Sequence, residues 1–293
     1  MESIKDLNTV NISNIIKTAL EYKQKDHKCE TLKDKIFGLL FFEPSTRTCL
    51  SFESAIHRLG GKVIKYNSQY SSEKKGESFE DTIRTIDCYV DVFIIRHPER
   101  DIISKIKNFT NKPIINAGDG DGEHPTQALL DLFTIISYYP NYPDKIAFTG
   151  DIKYSRTIHS LVYLLNKLCP NIEFYFVCNK LLQPSNELTS NLKKYYIYET
   201  LDDIIKEVDV LYVTRLQKER FNNEKVNNLI INENLIKHSK DNLIILHPLP
   251  RNDELSTDLD NNLKSKYFEQ VKNGVFIRMS ILINLLYNNS LRK

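Results

Sequence analysis

Short apolar runs alternate with amphipathic segments along most of the chain. The apolar runs have the length of buried strands, and the segments between them have helical periodicity. The predicted strands are Ile36–Phe42, Val90–Ile95, Pro113–Asn116, Lys145–Thr149, Glu173–Val177, Val208–Val213 and Leu243–Leu246. The predicted helices are Ser45–Leu59, Pro125–Tyr138, Arg156–Leu168 and Leu201–Glu207. Because strands and helices alternate, we predict an α/β fold with mainly parallel sheets flanked by helices.

The number of sheets is left open by this pattern, because seven strands can form one wide sheet or two smaller ones. The turn-like sequence Tyr-Pro-Asn-Tyr-Pro occupies residues 139–143, directly after an apolar helix. A break there would give halves of about 140 and 150 residues, each an ordinary domain size. Two domains are therefore an expectation, with the boundary near residue 139.

The composition excludes several classes of protein. Forty basic and 38 acidic side chains give a formal net charge of +2, so a general attraction to nucleic acid or to a membrane surface is not expected. A run of 18 apolar residues, as a membrane span would need, does not occur in the sequence. The five cysteines form no CxxC pair, and their odd number argues against a complete disulfide framework. A reducing compartment, the cytoplasm, is the expected location.

Polar side chains follow nearly every predicted strand, where ligands of open parallel sheets bind. The residues at these corners are Ser45, Thr46, Arg47, Thr48, Arg96, His124, Gln127, Arg156, Arg215, Gln217, His247 and Arg251. A single arginine would usually be a solvated surface residue. Several arginines at the carboxyl ends of strands predict instead a small polyanionic ligand set, such as a phosphate together with carboxylates.

The first corner, Ser45–Thr48, opens a helix directly after a strand. Unpaired backbone N–H groups and the helix dipole make such a terminus an anion site, and Arg47 could bind two phosphate oxygens. The simpler alternative is that Ser45 only caps the helix. Cys49 is expected to pack, since the helix should turn it away from the ligand.

The third corner brings His124 and Gln127, three residues apart, to one side of a helix that begins at Pro125. They could donate to a carbonyl oxygen and bind an amide, which would stabilise a developing oxyanion. A capping histidine beside a packed glutamine is the structural alternative. The sequence has no dinucleotide, P-loop or metalloprotease motif and no metal-ligand spacing, so no cofactor and no metal are expected.

Seven segments carry most of these corner residues, in the order FFEPSTRT (41–48), SSEKKGESFEDT (71–82), RHP (96–98), HPTQALLDLFTI (124–135), GDIKYSRTIHSL (150–161), TRLQKER (214–220) and HPLPRNDE (247–254). In this order, they resemble the motifs of the aspartate/ornithine carbamoyltransferase family, and the resemblance runs from about Ile36 to Asn284. Ornithine enzymes are expected to carry HCLPR and to lack the lysine loop. Here Pro248 follows His247 and Lys75 is present, so the likeness is to the aspartate branch. Arg215 agrees, because a second substrate carboxylate needs a cation.

Two features depart from the family pattern. Position 49 is Cys where the family commonly has Arg, which removes a charge near the phosphate corner. Residues 221–228 are shorter than the corresponding loop of the bacterial allosteric enzymes. These departures bear on phosphate affinity and on cooperativity.

The resemblance implies two α/β domains with the active site in the cleft between them. Residues 1–139, completed by a C-terminal helix over 276–293, would bind carbamoyl phosphate, and residues 140–275 would bind aspartate. The implied reaction transfers the carbamoyl group of carbamoyl phosphate to L-aspartate, the committed step of pyrimidine synthesis, without a cofactor. A homotrimer with shared active sites is implied, whereas a regulatory chain is neither implied nor excluded.

The resemblance also assigns roles to individual residues. Those implied for carbamoyl phosphate are Ser45, Thr46, Arg47, Thr48, Ser71, Lys75, Arg96, His124, Gln127, Pro248 and Leu249, with Ser71 and Lys75 arriving from a neighbouring subunit. Those implied for L-aspartate are Lys75, Arg156, Arg215 and Gln217. Among them, Arg47, Thr48, Lys75, Arg96 and His124 are the implied catalytic residues. A catalytically inactive partner with the same fold and a carbamoyltransferase for another amino acid are the competing interpretations.

Overall fold

The computed structural model describes residues 1–25, 29–67, 75–217 and 229–287. The chain divides into two compact units, the first formed by Met1–Leu129 with Asn273–Lys293 and the second by Leu130–Lys272. Within the described residues, no helix combines the length and the apolar character needed to cross a lipid bilayer.

The first unit contains a four-stranded parallel sheet formed by β1 (Ile36–Phe41), β2 (Lys62–Asn67), β3 (Val92–His97) and β4 (Ile114–Asp119). The strand order is β2-β1-β3-β4. The helices before and between them are α1 (Thr9–Lys25), α2 (Thr46–Arg58), α3 (Phe79–Asp87) and α4 (Ile102–Ile106). The central strands are apolar and buried, as expected for a parallel sheet covered on both faces.

The register of this sheet brings two corners to the same edge. Phe41, the last residue of β1, is the partner of Arg96 in β3, so both strands end side by side. The segment that follows β1 and opens α2 therefore begins next to Arg96. β4 lies beyond β3 and leads into helix α5 (Pro125–Tyr138).

The second unit contains a five-stranded parallel sheet in the order β7-β6-β5-β8-β9. Its strands are β5 (Lys145–Thr149), β6 (Glu173–Val177), β7 (Tyr195–Tyr198), β8 (Val210–Val213) and β9 (Ile244–Leu246). The remaining helices are α6 (Arg156–Leu168), α7 (Asn186–Thr189), α8 (Glu233–Ile236) and α9 (Tyr267–Tyr287).

Strands β5 and β8 end together in this sheet, because Thr149 is the partner of Val213. Gly150 follows β5 with φ 102, and a Cβ built there would lie 2.0 Å from the carbonyl oxygen of Thr214. Only glycine allows the two backbone segments to approach so closely. The segments after β5 and β8 are thereby held side by side.

The predicted fold class is confirmed, and the described residues form two sheets rather than one wide sheet. All seven predicted strands are present, with ends that differ by up to three residues. The predicted helix Leu201–Glu207 is wrong: these residues form a series of turns with a hydrogen bond from Ile205 N to Leu201 O. Bonds between residues three apart, such as Ile204 N to Leu201 O, alternate here with bonds between residues four apart, so the consecutive i→i+4 bonds of an α-helix do not form.

The C-terminal helix α9 begins at Tyr267, before the expected start at about residue 276, and Asn273–Lys293 belong to the first unit. Its first turns carry the polar residues Glu269, Gln270 and Lys272, which interrupt the apolar pattern of the helix. The unit boundaries fall within α5 and α9. The assignment of residues 1–139 and 140–275 to domains with separate functions stays a prediction.

Candidate active site

The corner after β1 has the features of an anion site. Ser45 precedes α2 with an extended backbone (φ −157, ψ 94), and in the described structure its side chain makes no capping hydrogen bond. The interpretation of Ser45 as a simple cap is therefore not supported. The first turn of α2 is neutral or basic, and both Thr46 and Arg47 are exposed. The N–H groups and the positive end of the α2 dipole favour a bound anion at this point.

The hydroxyl of Thr48 lies 3.4 Å from Nε2 of His124. Thr48 is 6% exposed and His124 is 4% exposed, so the contact is shielded from water. Gln127, one turn along α5, is also buried. The structure thus brings together a hydroxyl, an imidazole and an amide, which are groups suited to a polarised carbonyl and its amide.

At the same edge of the sheet, Arg96 forms an ion pair with the carboxylate of Glu43. The Nε atom of Arg96 lies 2.7 Å from Oε1 of Glu43. Glu43 lies in the predicted corner segment, but no local pattern pairs it with an arginine more than 50 positions away. The ion pair fixes the orientation of the guanidinium at the end of β3.

Arg278 was missed by the sequence analysis. It lies on α9 and is 3% exposed. Its guanidinium carbon lies 5.0 Å from the centre of the Phe52 ring in α2, and its Nη2 donates to the Thr126 hydroxyl in α5 at 3.4 Å. Arg278 therefore contacts both the helix that carries Thr48 and the helix that directly follows His124. The charge of an arginine predicts a surface position, although Ile281 and Leu282, at helical spacing from it, are apolar and buried.

In the second unit, Gln217 is held by the segment that follows β5. Its Nε2 donates to Oδ2 of Asp151 at 3.1 Å and to the carbonyl oxygen of Tyr154 at 3.2 Å. The Asp151 N–H in turn donates to the hydroxyl of Thr214 at 3.1 Å. Asp151 stands in the GDIKYSRTIHSL segment, but the motif alone did not predict a role for it.

The two arginines predicted for carboxylates occupy the same edge of this sheet. Arg215 lies two residues beyond the end of β8 and Arg156 is the first residue of α6, and both are half-buried. Half-buried arginines at strand and helix ends can bind carboxylates in a partly desolvated setting. Pro248 and Leu249 follow β9 and are also half-buried.

The remaining predicted residues are placed as follows. Lys75 is exposed, whereas Ser71 and the segment 221–228 lie outside the described residues. Partial burial raises the pKa of the Cys49 thiol above its usual value, which keeps it protonated and supports a packing role. Among the described residues, no group of three or more His, Cys, Asp or Glu side chains could hold a metal ion.

The first unit has an anion corner beside a buried histidine, and the second has two arginines and a fixed amide. Such sites are those of an enzyme that acts on small anionic substrates. Two family models match the chain. The aspartate/ornithine carbamoyltransferase carbamoyl-P binding domain matches residues 1–137, and the Asp/Orn binding domain of the same family matches residues 144–285. The chain belongs to the aspartate/ornithine carbamoyltransferase family.

Relatives of this chain carry the name of the aspartate branch. The chain is 43% identical over 297 residues to aspartate carbamoyltransferase catalytic subunit 2 of Shewanella halifaxensis, with 98% of this chain and 95% of the relative covered. It is 45% identical over 300 residues to the aspartate carbamoyltransferase catalytic subunit of Methanobrevibacter smithii, with 98% and 94% covered. Among solved structures, it resembles the aspartate transcarbamoylase of Trypanosoma cruzi in complex with carbamoyl phosphate and aspartate. That match has a TM-score of 0.91 and 38% identity, and it covers 98% of this chain and 96% of the other.

Proposed function

We propose that this chain transfers the carbamoyl group of carbamoyl phosphate to the amine of L-aspartate, giving N-carbamoyl-L-aspartate and phosphate. The observation that carries the proposal is the buried contact between Thr48 and His124 beside the N-terminus of α2. This arrangement supplies an anion site and carbonyl-directed donors together. The relatives named for the aspartate reaction support the choice of acceptor.

The chemistry needs orientation and charge stabilisation rather than a covalent enzyme intermediate. The unprotonated amine of aspartate attacks the carbamoyl carbon and forms the new C–N bond, while negative charge develops on the carbonyl oxygen. Thr48, Arg96 and His124 donate to that oxygen and lower the barrier. The C–O bond to the phosphate then breaks, and the departing phosphate accepts the proton that the amine releases.

The first substrate is assigned to residues of three corners. Ser45, Thr46, Arg47 and Thr48 hold the phosphate at the N-terminus of α2, with the helix dipole and the Arg47 guanidinium supplying positive charge. Gln127 binds the carbamoyl amide through its side chain, and Pro248 and Leu249 bind it through their carbonyl oxygens. Holding both ends of carbamoyl phosphate directs the carbonyl carbon towards the amine.

The second substrate is assigned to residues that follow β5 and β8. Arg156 and Arg215 bind the two carboxylates of aspartate, and Gln217, whose side chain is oriented by its hydrogen bonds to Asp151 and Tyr154, joins them in this site. Lys75 provides a further cation. Ornithine would bring a positive charge to these arginines, so the same residues select against it.

The proposed assembly is a homotrimer in which Ser71 and Lys75 serve the site of a neighbouring subunit. The support is chemical: the segment 71–77 is polar throughout, and Lys75 is exposed in the single chain. The cytoplasm is the proposed compartment. The five free thiols of the chain support it, because such thiols persist in reducing conditions.

The direct test uses the purified full-length chain with ¹³C-labelled carbamoyl phosphate and L-aspartate. Mass spectrometry should detect labelled carbamoyl aspartate in a one-to-one ratio with released phosphate. The Arg47→Ala variant should form much less product at the same protein concentration. An inactive partner protein would bind ligands without turnover, so binding with no labelled product would reject the proposed reaction.

A further inference from the structure

A buried pair of polar side chains, His247 and Glu254, lies at the corner after β9, and none of the proposed roles involves it. We call this pair the clamp. His247 and Glu254 are each 1% exposed. Nδ1 of His247 accepts a hydrogen bond from the backbone N–H of Leu249 at 2.8 Å. Because Nδ1 is an acceptor, the ring proton is on Nε2, which donates to Oε1 of Glu254 at 2.9 Å.

The Glu254 carboxylate fixes this arrangement. Burial by itself raises the pKa of Glu254, but hydrogen bonds from His247 and from the backbone N–H groups of Asn252 and Glu254 outweigh it and leave the pKa lowered. Oε1 accepts from the Asn252 N–H at 2.9 Å as well as from the imidazole. An ionised carboxylate on Nε2 selects the tautomer that leaves Nδ1 available to Leu249.

Leu249 has a backbone conformation that needs support. Its φ is 54, in the left-handed region that residues with a Cβ seldom adopt. The bond from its N–H to His247 is a direct contact that holds the residue in this conformation. The conformation in turn sets the direction of the Leu249 carbonyl oxygen.

The clamp is anchored in the interior of the second unit. The backbone N–H of His247 donates to Oε1 of Gln270 at 2.9 Å, and Nε2 of Gln270 donates to Oδ1 of Asp131 at 2.7 Å. The other carboxylate oxygen of Asp131 accepts from the Tyr212 hydroxyl at 2.7 Å. These side chains are all buried, so His247 has a rigid base from which to hold the corner.

We propose that His247, held in one tautomer by Glu254, is a positioning residue that aims the Leu249 carbonyl at the carbamoyl amide. This inference rests on the proposed function, in which Leu249 binds that amide. His247 itself touches no substrate. Its effect therefore falls on ligands that carry the amide and spares ligands that carry only the phosphate.

Two substitutions of His247 test the contributions of its two ring nitrogens separately. His247→Gln keeps a donor near the position of Nε2 but loses the acceptor for the Leu249 N–H. His247→Asn keeps an acceptor near the position of Nδ1 but loses the contact with Glu254. His238→Gln is the matched control, because His238 is an exposed histidine of the same unit.

The probes are phosphonoacetamide, which has a phosphonate and an amide, and inorganic phosphate, which has no amide. In the full-length chain, His247→Gln should weaken the binding of phosphonoacetamide about 10-fold, as expected when one hydrogen bond is lost. The same variant should bind phosphate within about 2-fold of wild type. His247→Asn should bind phosphonoacetamide within about 3-fold of wild type. In each variant, the KM for carbamoyl phosphate should change in parallel with the Kd for phosphonoacetamide, whereas the KM for aspartate should not change.

Unchanged phosphonoacetamide binding by folded His247→Gln would overturn the proposal, and so would equal losses for both probes. If neither His247 variant folds, Glu254→Leu decides, because it removes the acceptor that selects the tautomer of His247: binding of phosphonoacetamide must then weaken while binding of phosphate does not. An inactive wild-type chain would refute the proposed function instead. An active wild type with unaffected variants would refute only the positioning role.

Discussion

The Thr48 hydroxyl and Nε2 of His124 lie 3.4 Å apart, although 76 positions separate the two residues in the chain. Thr48 belongs to the first turn of α2, and His124 directly precedes α5. The parallel sheet of the first unit brings these helix starts to one edge. Two donors of different chemistry can therefore act on one carbonyl oxygen next to an anion site.

His124→Ala should act mainly on turnover. If His124 donates to the carbonyl oxygen as charge develops, its loss should lower kcat by about 10²- to 10³-fold, as for other oxyanion donors. The KM values should change much less. Phosphate release is the measurement, and His57→Ala, an exposed histidine at the far end of α2, is the control. Unchanged turnover in a folded variant would leave His124 with only a helix-capping role.

Arg215→Ala should damage the use of aspartate and leave carbamoyl phosphate binding largely intact. Loss of a charge-assisted contact to a carboxylate should lower kcat/KM for aspartate by about 10²-fold or more. Steady-state kinetics at saturating carbamoyl phosphate give this value, and Arg100→Ala removes an exposed arginine as the control. A kcat/KM for aspartate close to that of wild type would reject the assignment of Arg215.

The acid limit of stability should depend on Asp260. Both oxygens of Asp260 accept from Arg251, and this contact, together with the Tyr267 hydroxyl, lowers the pKa of the carboxyl from 3.8 to about 2. The unfolded chain then takes up a proton before the folded chain does, so the stabilisation is present above pH 4 and is lost between about pH 4 and pH 2. Solvent screening of this exposed carboxyl limits it to about 1 kcal/mol.

Asp260→Asn should therefore lower the free energy of unfolding at pH 7, and its difference from wild type should shrink as the pH falls through this window. Urea unfolding at several pH values measures the difference. Asp202→Asn, an exposed aspartate in a turn, is the control. A difference that stays constant down to pH 2 would show that the Arg251 contact does not lower the pKa of Asp260.

A shared site predicts that two inactive variants complement each other. Arg47→Ala and Lys75→Ala should each be inactive as homotrimers, and activity should return after they are dissociated and reassembled together. In a mixed trimer, some sites would then combine an intact Arg47 with an intact Lys75 from the neighbouring chain. Native mass spectrometry verifies the hybrids. Confirmed hybrids without activity would contradict the shared site, as would a fully active monomer.

The sequence predicted most of the elements that place the site, because the buried strands are continuous apolar runs. It missed β2 because Lys62 and Lys65 interrupt the apolar pattern of that exposed edge strand. Strand β7 consists of three tyrosines and one isoleucine. It was missed because it is a short edge strand exposed on both faces.

Partners within the site were harder to predict than its corners. The corner residues follow from where strands end, a property that can be read locally. The contacts of Arg96 with Glu43 and of Arg278 with Phe52 join separate elements, and no local pattern indicates them. The clamp between His247 and Glu254 spans only seven residues, but it depends on the left-handed conformation of Leu249.

The central claim is that this chain carbamoylates aspartate in preference to ornithine, and one competition experiment tests it most directly. The purified chain receives ¹³C-labelled carbamoyl phosphate with equal concentrations of L-aspartate and L-ornithine, and mass spectrometry measures both labelled products. If Arg156 and Arg215 bind the carboxylates of the acceptor as proposed, labelled carbamoyl aspartate should exceed labelled citrulline by at least about 10³-fold, since ornithine would place a cation against these arginines. Comparable amounts of the two products, or an excess of citrulline, would contradict the account.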